Sequence, residues 1–300
     1  MTVASADPVF AAPRGAGRRL SAFLHRHPNV RLLLLVCLPL GFLVVVYLGS
    51  LVVLLLNAFW TTDSFTGDTL RVWSTDNFQT IFTEPVYRIV TLRTVSAAVI
   101  VTATDALIAF PIAFYMAKVA SARAQRLLVI AVLAPLWASY LVKAYAWRAV
   151  FSNDGPADWL FKPFGADAPN GNYWTAVLTL GYLWLPYMIL PIYAGLERLP
   201  DSLLDASADL GGKAWRTFRS VVLPMVWPSV VAGSILTFSL TLGDYIAVQL
   251  VGGKVQFLGN LVYAQQVYNL PVAAALSLVP VGIIVVYLFL VRRTGALSEL

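Results

Sequence analysis

The stretch DASADLGGKAWRTFRSVVLP, Asp205 to Pro224, sets five charged side chains and two adjacent glycines between strongly apolar segments. Asp201, Asp205 and Asp209 repeat at i, i+4, i+8, so they share one face of a short helix, near the end where its dipole favours negative charge. Pro200 ends the preceding segment, and Ser202 with Asp205 forms the S-x-x-D pattern of a capping box. Gly211 and Gly212 break that helix. Beyond them Trp215, Phe218 and Val222 recur at helical spacing beside Lys213, Arg216 and Arg219, and the chain turns apolar again at Leu223 and Pro224. The reading is two short amphipathic helices joined by a glycine turn. Two roles fit such a hairpin: it lies on lipid headgroups, or a partner grips it and moves the segments on either side.

The flanking sequence sets the context. With 59% hydrophobic and 12% charged residues and a mean hydropathy of +0.75, the 300-residue chain is no water-soluble globular domain. Six apolar blocks reach the ~20 residues that cross a bilayer: 32–59, 89–117, 127–151, 173–196, 226–248 and 272–291. Lipid cannot satisfy an open backbone and no alternating strand pattern occurs, so the expected class is an all-α integral membrane protein with six transmembrane helices. The first block is too long for a signal-peptide core and follows a polar leader, residues 1–31, with five arginines. Placing the leader, the second-to-third connection, the Asp205 loop (about 197–224) and the C-terminal end (Arg292 and Arg293 with the tail 294–300) on one side gathers fourteen of the 21 Lys and Arg residues there. The positive-inside rule makes that side the cytoplasm and both termini cytoplasmic, with 32–293 as the membrane domain. The net charge of +6 follows from this asymmetry, without nucleic acid as a partner. His25 and His27 read as interfacial residues, and the single Cys37 excludes a disulfide framework or a cysteine metal site.

Between the blocks, Trp60–Arg88 is expected to hold a short interfacial helix, Ser152–Asn172 to be turns, and Gly252–Lys254 to lie in the last outer loop. Asn269 and Pro271 mark the start of the final helix. Prolines inside five blocks (Pro39, Pro111, Pro135, Pro186 with Pro191, Pro280) predict kinks.

Asp205-Ala206-Ser207, Gly211 and Val222-Leu223-Pro224 together resemble the E-A-A-x-x-x-G loop of ABC importer permeases, the membrane subunits of binding-protein-dependent uptake systems. The resemblance runs over roughly 77–293. APLWASYLVKAYAWRAVF (134–151), LPYMILPIYAGLERLPDSLLDASADLG (185–211) and LTLGDYIAVQLVGG (240–253) are similar to the spermidine/putrescine branch. It implies a bacterial inner-membrane subunit working with a second homologous permease, an ABC ATPase dimer and a periplasmic or surface binding protein. The Asp205 loop is then the coupling loop between helices four and five. Asp205, Ala206, Ser207, Asp209, Gly211, Gly212, Leu223 and Pro224 form its ATPase-docking part. The cofactors ATP and magnesium belong to the partner ATPase, because no G-x-x-x-x-G-K-[ST] loop occurs: GGKA and GGKV lack the Ser or Thr. The solute implied is a polyamine; related branches carry amino-acid-like, phosphonate or other small solutes.

An ionisable group inside a span is a functional candidate by default. Asp105 and Asp244 are two such groups, and Tyr145, Trp147 and Tyr245 offer aromatic faces to an alkylammonium. Structural alternatives stand beside these roles: Asp105 pairs with Arg93, Lys143 or Arg148, Asp244 caps the outer loop, and the aromatics anchor at the interface. An intramembrane aspartyl protease is excluded because G-x-G-D would need glycine where Thr241 stands. No other hydrolase motif occurs, so the chain is read as a transport subunit and not an enzyme. A stand-alone secondary carrier, which would not need the Asp205 loop, is the rival reading.

Overall fold

In a computed structural model, residues 35–37, 39–63, 66–166 and 168–292 are described. The leader with His25 and His27, the tail 294–300 and Arg293 lie outside them. The chain divides into two compact units, Met1–Leu56 and Asn57–Leu300. The first contains nearly all of helix α1 (Leu35–Asn57), which has a π-helical turn at Leu43–Leu48 and exposes Cys37.

The second unit opens with a small antiparallel pair, β1 (Thr61–Thr62) and β2 (Thr69–Leu70), and the expected short helix, α2 (Asp76–Thr83). Asn77 fixes that region by donating to the carbonyls of Ala58 (2.9 Å) and Trp60 (2.7 Å). The long helices are α3 (Pro85–Val119), α7 (Tyr173–Arg198), α9 (Ala214–Gly243) and α12 (Leu270–Arg292). Between them lie α4 (Ala122–Trp137), α5 (Tyr140–Val150), α6 (Pro156–Phe161), α8 (Asp201–Asp209), α10 (Ile246–Val251) and α11 (Leu258–Tyr268). Among the described residues, five helices, α1 included, are long and apolar enough to cross a membrane, or six if α4 and α5 count as one span.

α7 is the central helix and packs along α3 and α9 through small residues, the usual way backbones approach inside a membrane. A Cβ on Gly233 would meet the Met188 sulfur at 2.7 Å and its Cα at 3.2 Å; one on Gly195 would meet the Ser229 Cβ at 2.8 Å. Gly233→Leu is therefore expected to cost about 1–3 kcal/mol by overpacking. Thermal unfolding in detergent checks this, and a wild-type Tm would refute so close an α7–α9 contact. Buried threonines (Thr94, Thr179, Thr237, Thr241) return their hydroxyls to carbonyls four residues back and so add no unpaired group to the core.

Four expectations need correction. The third block does more than kink at Pro135: it is two helices, α4 and α5, which meet at 94°, because Pro135 weakens the last turn of α4 and Ala138 and Ser139 are extended. The fifth span starts at Ala214, not Val226. Its first turns are the second half of the supposed helix pair, joined by a π-helical turn at Phe218–Val222 just before Pro224, where proline lacks its N–H. That span also stops at Gly243, and the loop beyond it contains α10 and α11. Finally, Ser152–Asn172 is not turns alone but holds α6 and a 3-10 turn at Lys162–Phe164; nearby, the Lys162 hydrogen bond holds the Asp154 carboxyl below its usual range. Asn269 does cap the final helix, its Oδ1 accepting from the Val272 N–H at 3.1 Å.

Candidate functional site

Two places, at opposite ends of α9 and about 45 Å apart along a thirty-residue helix, gather the candidate residues. At the first, α8 follows α7 directly. Pro200, not Ser202, occupies the N-cap, so the expected capping box does not form: Ser202 is already inside the first turn. Lys118, from the end of α3, closes this junction. Its ammonium donates to the Leu199 carbonyl and to Asp201 Oδ1, both at 2.6 Å, with only 9% of its side chain exposed.

The other end of α8 closes as a Schellman motif. Gly211 (φ +78°) donates to the Ala208 carbonyl at 2.9 Å and Gly212 to the Ser207 carbonyl at 2.8 Å. Ser207 and Thr217 share a hydroxyl hydrogen bond of 2.8 Å, which ties α8 to the start of α9. Inside the turn, Leu204 and Phe218 pack on the core formed by Leu196, Leu199 and Val222, and Phe218 meets Phe110 edge to face. Asp205, Ala206 and Asp209 are exposed, as are Leu203, Leu210 and Trp215. The loop is thus a rigid knob, fastened from inside and presenting carboxylates and apolar side chains outward.

At the other end, Asp244 follows the last turn of α9. Tyr140, the first residue of α5, donates its hydroxyl to Asp244 Oδ2. The Ala247 N–H points at both Asp244 Oδ1 (3.0 Å) and the Tyr140 oxygen (3.1 Å). Asp244 therefore caps α10 and also anchors the bend between α4 and α5. Tyr140 stacks on Trp184 with ring centroids 6.1 Å apart. Tyr140, Trp184, Ser239, Gly243, Asp244 and Tyr245 line a cavity of about 360 Å3.

The remaining candidates lie elsewhere. Tyr145 is exposed on another face of α5, and Trp147 packs against Phe151 and Tyr182. Asp105 is buried in α3, where Gly181 of α7 leaves room for it: a Cβ there would come within 3.3 Å of its Oδ1. None of the ion pairs among the described residues includes Asp105, and its Oδ2 accepts no hydrogen bond, so the expected pairing with Arg93, Lys143 or Arg148 is not made. Tyr140, Trp184 and Lys118 were not singled out from sequence. The signal for Tyr140 was there: Tyr140, Ala144, Trp147 and Phe151 share one helical face, which turns Tyr145 away.

Residues 109–295 match the family described as "Binding-protein-dependent transport system inner membrane component". The chain is 45% identical to the inner membrane ABC transporter permease protein YdcU of Escherichia coli, covering 94% of this chain and 95% of that one. It is 30% identical to the spermidine/putrescine transport system permease protein PotB of Haemophilus influenzae over 74% and 79% of the two chains. Among solved structures, a chain of a bacterial ABC transporter that imports the acidic polysaccharide alginate superposes with a TM-score of 0.66 at 16% identity, covering 92% of this chain and 99% of that one; this likeness concerns the fold. By family match and by identity, the chain belongs to the binding-protein-dependent transport system inner membrane components, as a multi-pass inner-membrane permease subunit of an ABC importer.

Proposed function

We propose that this permease carries a small cationic solute, a polyamine such as spermidine or putrescine, by alternating access driven from the cytoplasm. The observation that carries the reading is the Asp244 carboxylate set among Tyr140, Trp184 and Tyr245 in one cavity. A carboxylate takes an ammonium by charge-assisted hydrogen bonds, and each aromatic face adds about 0.5–2 kcal/mol for a cation above it. The likeness to PotB supports the same solute class. The positive-inside asymmetry supports a cytoplasmic α8 loop, with Asp244 toward the outer side.

In this reading a second, homologous permease completes the pathway, and a binding protein delivers the solute from outside. An ATPase dimer grips the α8 knob. Asp205 meets a basic or polar group there, Ala206 permits close approach, and the exposed Leu210 and Trp215 bury themselves in the contact. ATP and magnesium stay on the ATPase, and this chain makes and breaks no bonds.

Asp244→Asn tests the solute. Asparagine keeps its one oxygen for the Ala247 N–H and turns its amide N–H toward the Tyr140 oxygen, which then accepts, so the contacts can be remade while the charge is removed. Losing one charge-assisted contact of about 1.5–3 kcal/mol predicts a 10- to 150-fold weaker apparent affinity for putrescine or spermidine. Uptake into proteoliposomes holding the complete importer measures it, and unchanged amine uptake would exclude Asp244 as the cation site.

A further inference from the structure

The Asp244 cavity is one of three that adjoin through shared lining residues. Gly243 and Tyr245 also line a second cavity of about 310 Å3, with Gln266 and Ser277 among its walls. Tyr263 lines that second cavity and a third of about 350 Å3, where Gln249, Gln256, Asn260 and Tyr268 supply polar groups. Tyr245 thus stands between the first and second cavities, and Tyr263 between the second and third. Their rings stack with centroids 5.0 Å apart and planes 16° from parallel, a contact with no space between the faces.

The backbone under this pair is held firmly. Asn260 donates from its side chain to the Tyr245 carbonyl at 2.9 Å, and a Cβ on Gly259 would come within 2.9 Å of the Asp244 carbonyl and 3.0 Å of the Tyr245 Cβ. Two tyrosines on a rigid base separate through their side-chain torsions, not by movement of the chain. Resting on the polyamine reading above, we infer that the Tyr245–Tyr263 stack is a gate within an elongated binding site for an α,ω-diamine or longer polyamine. One ammonium reaches Asp244 while the far end is held by the amide oxygens of Gln249 and Gln256 in the third cavity. The methylene chain then lies against the parted rings. The side-chain amides are neutral, so they guide the far ammonium without trapping it, and Asp244 supplies the single negative charge that draws the solute inward. A compact monoamine fills the Asp244 end alone and gains nothing from those amides.

The test uses the complete importer in proteoliposomes with the single cysteine removed (Cys37→Ser). Tyr245→Cys and Tyr263→Cys, introduced together and joined by a short reducible thiol cross-linker, are expected to lower putrescine uptake more than ~10-fold, with recovery on reduction; each single variant should ignore the reagent. Tyr263→Ala is expected to raise the KM for putrescine ~10-fold, the equivalent of 1.4 kcal/mol, and to let a primary monoamine compete, whereas Tyr263→Phe keeps the stack and wild-type selectivity. Putrescine uptake at the same rate with the cross-link in place would overturn the gate while leaving the Asp244 reading intact. Absence of amine uptake by the wild type would overturn both.

Discussion

Gly212→Val is expected to abolish solute uptake while the chain still reaches the membrane. A Cβ at this position would lie 2.6 Å from the Ser207 carbonyl oxygen and 2.7 Å from its hydroxyl. Neither neighbour can yield cheaply: the Gly212 N–H bonds that carbonyl at 2.8 Å, and the hydroxyl holds Thr217 at 2.8 Å. Valine therefore opens the end of α8 and frees the knob from α9. Gly211 differs. Its φ of +78° is unfavourable for other residues by about 1–2 kcal/mol, yet open space surrounds it, so Gly211→Asn should be far milder. Uptake normalised to membrane level distinguishes the two. Transport by Gly212→Val near the wild-type rate would remove the claim that the fastened turn matters.

That contrast marks the limit of what the residues alone convey. In the sequence the two glycines are equal helix breakers; only the fold separates one chosen for its torsion from one chosen for lack of volume. The same holds for Ser207, where the E-A-A pattern has alanine: its hydroxyl gains a meaning once Thr217 is found opposite. Long apolar blocks were legible because hydrophobic length is a local property. Pro135 announced a kink, but its 94° size was not legible, because hydropathy counts apolar residues and carries no direction, and the Tyr140–Asp244 contact that anchors the bend joins residues 104 apart. The start of α9 was misplaced because Trp215, Phe218 and Val222 have the same spacing in a separate short helix and in the first turns of a long one. Asp105 was correctly flagged as a buried acid, but sequence offered it three basic partners and the fold gives it a glycine.

Lys118→Met is expected to uncouple transport from ATP hydrolysis. The lysine entered the sequence reading only as one of fourteen charges on the inner side, yet it joins three elements: the end of α3, the Leu199 carbonyl closing α7 and Asp201 opening α8. The two bonds carry unequal weight. Asp201 is 79% exposed, so its ion pair is screened and worth about 0–1 kcal/mol. Leu199 is buried, and a hydrogen bond from a charged donor to its carbonyl contributes about 1.5–3 kcal/mol. Methionine preserves the packing of the stem but removes the donor, so α8 hinges about Pro200, and on the docking role proposed above, movement imposed on the knob no longer reaches α3 in full. The amount of solute carried per ATP hydrolysed, measured in proteoliposomes with the partner ATPase, should fall about tenfold, the equivalent of 1.4 kcal/mol. Lys118→Arg should restore most of that ratio, and Asp201→Asn should lower it only slightly. A merely structural lysine predicts a different pattern, in which uptake and hydrolysis decline together at a constant ratio; that result would reduce Lys118 from a mechanical link to a cap on the end of α7.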